Sequence, residues 1–297
     1  MGTLRLDVSD TALRADYDRI IRRLLERGDD MPELDEAPRL EGTYDPQVLA
    51  LCARNWSIRM RQEHHSSAVF AGMLPQFMTA EAPVDVKMCL LRASMDELRH
   101  AALCADVVRV LGHDPALETS LEAEPMAEHP GVPADEVALR NLFFVGCLSE
   151  TVAVALLTEE RGMCKEPWVA KVLRQLTADE TLHARMGWIW LRDRWPHLSA
   201  DARERTQEYL AFALAWYEQC MVRATPPARI PASILEQARA IGFADCDVSR
   251  ELFYETVEHV ILPQLDDLGL HARKAWRDRR LMGDAIAGQV TLTGAGA

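Results

Sequence analysis

Glutamate and histidine stand three residues apart at two places in this chain, in "SMDELRHAAL" and "TADETLHARM", each preceded by aspartate. The first copy supplies Asp96, Glu97 and His100; the second supplies Asp179, Glu180 and His183. Residues three apart on a helix share a face, one turn apart. Each copy therefore offers a carboxylate and an imidazole to a single point, which is the chemistry of a metal-ligand pair. With 24 Glu and 9 His in 297 residues, chance gives about 0.7 Glu-x-x-His. Requiring Asp before the Glu lowers that to about 0.05 for one copy, and both copies have it.

Helices must hold these pairs, and helical periodicity runs throughout with no alternating strand pattern. A first amphipathic segment is predicted over 10–26, followed by an acidic, Pro-containing lead-in. Asp45-Pro46 reads as an N-cap with Pro at the first helical position, opening a helix to about 78. A second helix covers about 84–111. A long Pro-rich stretch then makes a crossover rather than a tight turn. Third and fourth helices follow at about 135–161 and 167–194, with further helical stretches at about 200–223, 231–240, 247–266 and 268–284 and a frayed tail. The expectation is an all-α chain of one domain, 1–297, with a four-helix bundle over 46–196. Accessory C-terminal helices occupy 200–285, and a further helix precedes the bundle.

In such hairpins, equal depth means equal distance from the turn. Reflecting Glu97 through a turn near 80 finds Glu63, and reflecting Glu180 through a turn near 165 finds Glu150. Glu150 lies among Phe143, Cys147, Val154 and Leu157 at helical spacings; Glu63 lies among Trp56, Met60, Ser67 and Phe70, with Arg59 interrupting its stripe. Glu159 and Glu160, near the turn, read as solvated. His64 and His65 fall on neighbouring faces and read as surface or supporting residues. Four buried carboxylates without partners would each cost several kcal/mol. Two divalent cations neutralise them, so Glu63, Glu97, His100, Glu150, Glu180 and His183 form a candidate dinuclear metal site.

The net charge of -13 argues against phosphate-binding nucleic-acid recognition and against anionic membrane surfaces. Seven cysteines lie in scattered, mostly apolar contexts without any Cys-x-x-Cys, which suits reduced thiols in the cytoplasm. No apolar leader opens the chain, and no uninterrupted apolar run approaches about 18 residues.

Glu63, Glu97-x-x-His100, Glu150 and Glu180-x-x-His183 together resemble the ferritin-like di-iron carboxylate superfamily over roughly residues 46–196. The connectivity and ligand pattern are those given for such bundles in general. The resemblance implies two iron ions, with manganese in one or both positions compatible with the same donors. It implies bridging or chelating roles for Glu97 and Glu180, and one imidazole on each metal. In di-iron hydroxylases and acyl-carrier desaturases the doubled Asp-Glu-x-x-His has its Asp accepting a hydrogen bond from a ligand imidazole. Asp96 and Asp179 are therefore expected to orient the histidines. Arg99 would neutralise one of those carboxylates; the second copy has Leu182 at the matching position.

Ribonucleotide reductase small subunits carry a radical tyrosine one turn past an iron-binding His. This chain has no tyrosine between Pro46 and His197. Arylamine N-oxygenases of the superfamily carry an additional His where this chain has Leu176. The small residues Ser67, Ala101, Cys104, Cys147, Ala184 and Gly187 are candidates to leave room for dioxygen and substrate, or simply to allow close helix packing. Eight later aromatics (Trp188, Trp190, Trp195, Phe212, Trp216, Tyr217, Phe253 and Tyr254) could wall a pocket or fill the core. The resemblance implies O2-dependent oxidation of a small organic or carrier-linked substrate, by oxygenation, N-oxygenation or desaturation, with an external electron donor. The competing reading is a ferroxidase or iron-storage subunit. Exposed helix faces allow a homodimer.

Overall fold

The computed structural model describes residues 12–13, 15–16, 37–118, 126–227 and 229–283, and among these the regular structure is helical. Its sole strand-like feature there is an isolated bridge between Glu41 and Tyr44. Helix α1 spans Pro46–Thr79, α2 Val84–Val110, α3 Ala134–Met163, α4 Pro167–Arg194 and α5 Ala200–Ala224. Shorter helices follow: α6 (Ala232–Arg239), α7 (Cys246–Thr256), α8 (Leu262–Asp267) and α9 (Ala272–Asp278). A π-helical segment, Val257–Ile261, joins α7 to α8. Most of the amphipathic segment predicted over 10–26, and the tail beyond 283, lie outside the described residues.

Local chemistry sets the helix ends. Asp45 Oδ1 accepts a hydrogen bond from Gln47 N at 2.8 Å, with Pro46 beginning α1. Glu166 accepts similarly from Trp168 N at 3.2 Å, with Pro167 beginning α4. Ser199 caps α5 by accepting from Ala202 N at 3.1 Å. The two hairpin turns fall between Thr79 and Val84 and between Met163 and Pro167, where the depth argument requires them. The crossover from α2 to α3 is tied down near its end. Asn141 Nδ2 donates to Ala127 O and to Gln76 Oε1, both at 2.7 Å.

α1 packs along α2 and α3 along α4, and α1–α3 and α2–α4 contacts join the two hairpins. The buried apolar side chains fall into two groups. One holds Phe70, Met73 and Phe77 of α1, Val86 and Leu90 of α2, Leu142 and Leu148 of α3, and Trp190 of α4. The other holds Trp56 of α1, Val107 of α2 and Leu111 just beyond its end, Leu157 of α3, and Leu173 and Leu176 of α4. Early α1 and early α4 share a group with late α2 and late α3. Hence α1 and α4 run one way and α2 and α3 the other. The interval between the groups falls near residues 63, 97, 150 and 180, and there the buried side chains are charged. By length and composition α3 is apolar enough to cross a membrane; Glu150 lies within it, and 56% of its most apolar window is buried against the rest of the chain.

Candidate metal centre

The six predicted ligands converge in that interval. Glu63, Glu97, His100 and Glu180 each bring one ligand atom into a group whose atoms all lie within 4.8 Å of one another. Glu97, Glu150, Glu180 and His183 form a second group by the same measure. Glu97 and Glu180 belong to both; Glu63 with His100 and Glu150 with His183 form the two ends. Nδ1 of each imidazole faces inward. His100 Nδ1 lies 3.2 Å from Glu180 Oε1 and 3.5 Å from Glu63 Oε2. His183 Nδ1 lies 2.9 Å from Glu180 Oε2 and 3.1 Å from Glu97 Oε1. All six are buried except Glu63, whose side chain is 12% exposed. His64 and His65 stand outside both groups.

Bringing these charges together perturbs them in opposite directions. Burial, with Glu180 beside it, pushes Glu97 up to about 8. The same two causes push Glu150 well above the usual carboxylate range. Burial would raise Glu180 as well, but the two imidazoles hold it well below that range. Burial would lower the imidazoles; surrounding carboxylates outweigh it. Asp179, Glu180 and Glu63 raise His100, and Glu180, Asp96 and Glu97 raise His183, both well above their ordinary value. Glu97 Oε1, despite its approach to His183, and His100 Nδ1 make no hydrogen bond among the described residues. Orphaned buried lone pairs inside an acidic cluster are what divalent cations satisfy. The donor set of carboxylate oxygens and two imidazoles suits iron or manganese. The residues fit a metal.

The outward edge of each imidazole explains the repeated aspartate. His100 Nε2–H donates to Asp179 Oδ2 at 3.1 Å, so the histidine of the first copy is held by the aspartate of the second. Reciprocally, His183 Nε2 faces Asp96 Oδ2 at 3.6 Å, an ion-pair distance longer than a hydrogen bond. Arg99 closes the circuit, donating to Asp96 Oδ1 at 2.8 Å and to Asp179 Oδ2 at 2.7 Å. Arg92 also donates to Asp96 and Gln175 to Asp179, both at 2.8 Å. Burial would raise Asp179; His100, Arg99 and Gln175 outweigh it and hold the carboxyl at about 2. Asp96 is likewise lowered against its burial, by His183 and Arg92. Arg92 and Gln175 each lie four residues before their aspartate, a spacing that could have flagged them.

Two features of α3 shape the other side. Residues Phe143–Ser149 form a π-helical segment that ends immediately before Glu150, the wider winding that often marks functional sites. Within it, Gly146 meets Gly187 of α4 back to back: a Cβ on Gly187 would come 2.6 Å from the Gly146 carbonyl carbon. Helical periodicity does not announce the change of winding.

A cavity of about 330 Å³ opens beside the carboxylates. Its walls include Glu63, Glu97, Glu150 and Glu180, with Arg59, Gln62 and Ser66 from α1, Ser149, Val152, Ala153, Leu156 and Leu157 from α3, and Tyr217 and Met221 from α5. The two histidines and two aspartates do not line it. The carboxylate face is therefore open and the histidine face closed by the aspartate–arginine network.

Several sequence expectations differ from this arrangement. None of Ser67, Ala101, Cys104, Cys147, Ala184 and Gly187 lines the cavity. Ser67 donates to His64 O at 2.7 Å, Cys104 and Cys147 are fully buried, and Gly187 serves close helix contact. Apart from Glu97 and Glu180, the lining comes from α1, α3 and α5 rather than from the motif helices α2 and α4. Glu160 is buried rather than solvated: Arg59 Nη2 donates to its two oxygens at 2.7 and 2.6 Å. The cation that spoiled the α1 stripe and the misread carboxylate are each other's partner. Of the eight later aromatics, only Tyr217 lines the cavity. Tyrosine does approach the site, then, from α5, with its hydroxyl 3.5 Å from Ser149 O.

No model of a known protein family matches this chain, and a search of curated proteins finds no match.

Proposed function

We propose that this protein is a non-haem di-iron oxidoreductase on a ferritin-like four-helix bundle formed by α1–α4, oxidising a small organic or carrier-linked substrate with O2. One observation carries the reading: two four-donor groups share Glu97 and Glu180 and open onto a cavity through their carboxylates alone. Two bound ferrous ions would supply two of the four electrons that dioxygen takes up, the oxidised substrate would supply the other two, and an external donor would return the irons to the ferrous state.

The chain's own residues have separable tasks. Glu97 and Glu180, common to both donor groups, would hold both metals, while Glu63 with His100 and Glu150 with His183 would complete one end each. Asp179 and Asp96, held by Arg99, fix the imidazole orientation and raise its basicity. That network seals the histidine face from water. Substrate and oxygen approach from the other side, past Glu63 and Gln62. The seven cysteines, none of them in a disulfide among the described residues, support a cytoplasmic setting. A homodimer finds support in the exposed row Met88, Leu91, Met95 and Leu98, spaced three and four apart along α2.

The test is anaerobic loading of metal-free protein with Fe(II), then oxygen, following iron stoichiometry and visible absorbance. Uptake stopping near two irons per chain, with transient absorbance that substrates discharge, supports the oxidase reading. Continued uptake with growing ferric-oxide absorbance would mean iron storage. Failure to bind iron sinks the metal centre itself.

A further inference from the structure

Arg59 has a second face. Its Nη2 is committed to Glu160, and its guanidinium lies over the Trp56 ring at 4.9 Å. Its Nη1 is buried and has no hydrogen-bond partner among the described residues, although Arg59 lines the cavity. Glu63, one turn further along α1, does not answer it, being turned to His100 Nδ1 at 3.5 Å. A buried N–H without an acceptor is a binding preference waiting for a ligand.

Charge narrows what that ligand is. Arg59 is already neutralised by Glu160, and two divalent cations would neutralise the four glutamates. A carboxylate entering here would be an uncompensated buried anion, and an ammonium an uncompensated cation, since every acidic group lining the cavity is already matched. The part of the wall contributed by α3 and α5 is largely apolar: Val152, Ala153, Leu156 and Leu157 of α3 and Met221 of α5, with Ser149 and Tyr217 the uncharged polar exceptions beside Glu150. From this we infer that the cavity takes an uncharged molecule with an apolar body and a carbonyl-type acceptor, an amide or ester oxygen bound by Arg59 Nη1. The inference rests on the dinuclear reading, because it needs the glutamates neutralised.

The test uses Co(II)-loaded full-length protein, its metal content measured directly, and calorimetric titration with hexanamide, hexanoate and hexylammonium. Hexanamide should bind at least tenfold more tightly than either charged analogue. Arg59→Lys, which keeps a cation beside Glu160 but loses the second donor nitrogen of the guanidinium fork, should weaken hexanamide about tenfold. Tighter binding of hexanoate or hexylammonium, or no effect of Arg59→Lys, overturns the inference while leaving the metal reading intact. If Arg59→Lys does not fold, the order of the three probes on wild-type protein still decides. Protein that takes up no Co(II) overturns the metal reading, and this inference with it, whichever probe binds.

Discussion

Replacing Asp179 with Asn exchanges one oxygen for an amide group on a side chain that lines neither metal group nor cavity, yet the effect should be felt at one particular metal position. Asp179 is held at about 2 against an ordinary 3.8. At about 1.4 kcal/mol for each tenfold in proton affinity, that difference is about 2 kcal/mol. His100 is the largest stabilising contributor, ahead of Arg99 and Gln175. Metal affinity at the His100 position should therefore fall about 10- to 50-fold, in line with the usual effect of losing a carboxylate behind a ligand imidazole. The assay is Co(II) competition against a chelator, with proton NMR of the hyperfine-shifted imidazole N–H signals, assigned by His100→Gln and His183→Gln. Asp179→Asn should move the His100 signal and leave that of His183. Asp96→Asn should act on His183, and less strongly, because that contact is 3.6 Å against 3.1 Å. If each aspartate proves to govern the histidine of its own motif, or both histidines equally, the crossed pairing is refuted. The linkage has a sign. A depressed carboxyl contributes stability above about 3.8 that is lost as pH falls through about 2. The difference in melting temperature between wild type and Asp179→Asn should be full at pH 6 and close below pH 4.

Other outcomes follow from the same geometry. Glu97→Ala or Glu180→Ala should abolish binding of both metals, whereas Glu63→Ala or Glu150→Ala should leave one; elemental analysis of Co(II)-loaded variants reads the count. Glu97 at about 8, with both imidazoles raised, makes metal binding release protons, so apparent Co(II) affinity should climb from pH 6 to 8. The same groups are raised on folding, so their stabilisation of metal-free protein is lost as pH rises through those values; its melting temperature should fall between pH 5 and 8 and recover on loading. Glu160→Gln strands the Arg59 charge and should cost about 3–5 kcal/mol in denaturant unfolding, whereas Arg59→Met with Glu160→Leu should restore most of it. Met95→Glu should turn a dimer into a monomer by sedimentation if the α2 row is the interface.

The parts of the site readable in the sequence are those that obey one helix at a time. Glu97 with His100 and Glu180 with His183 announce themselves by spacing, and Glu63 and Glu150 follow once hairpins fix depth, because a rise of about 1.5 Å per residue converts position into level. What escaped depends on neighbours across helices. Nothing in "DELRH" says that Asp96 serves His183 and not His100. Arg59 and Glu160 are 101 residues apart; alone, Arg59 interrupts an apolar stripe and Glu160 reads as a solvated carboxylate. A cation in an apolar stripe should have prompted a search for a buried anion on the facing helix. The cavity walls Tyr217 and Met221 come from α5, beyond the motif-bearing helices, and no local pattern distinguishes them from core.

The charged layer between the two apolar groups has a consequence for how the molecule comes apart. Each half has its own hydrophobic cohesion, and among the described residues the layer between them holds four glutamates with two histidines. Metal ions bound there would act as a clasp, joining two half-cores that otherwise loosen separately. Hydrogen exchange on metal-free protein should reveal two blocks of protection with different opening energies, the seam running through residues 63, 97, 150 and 180. Loading should fuse them into one cooperative body.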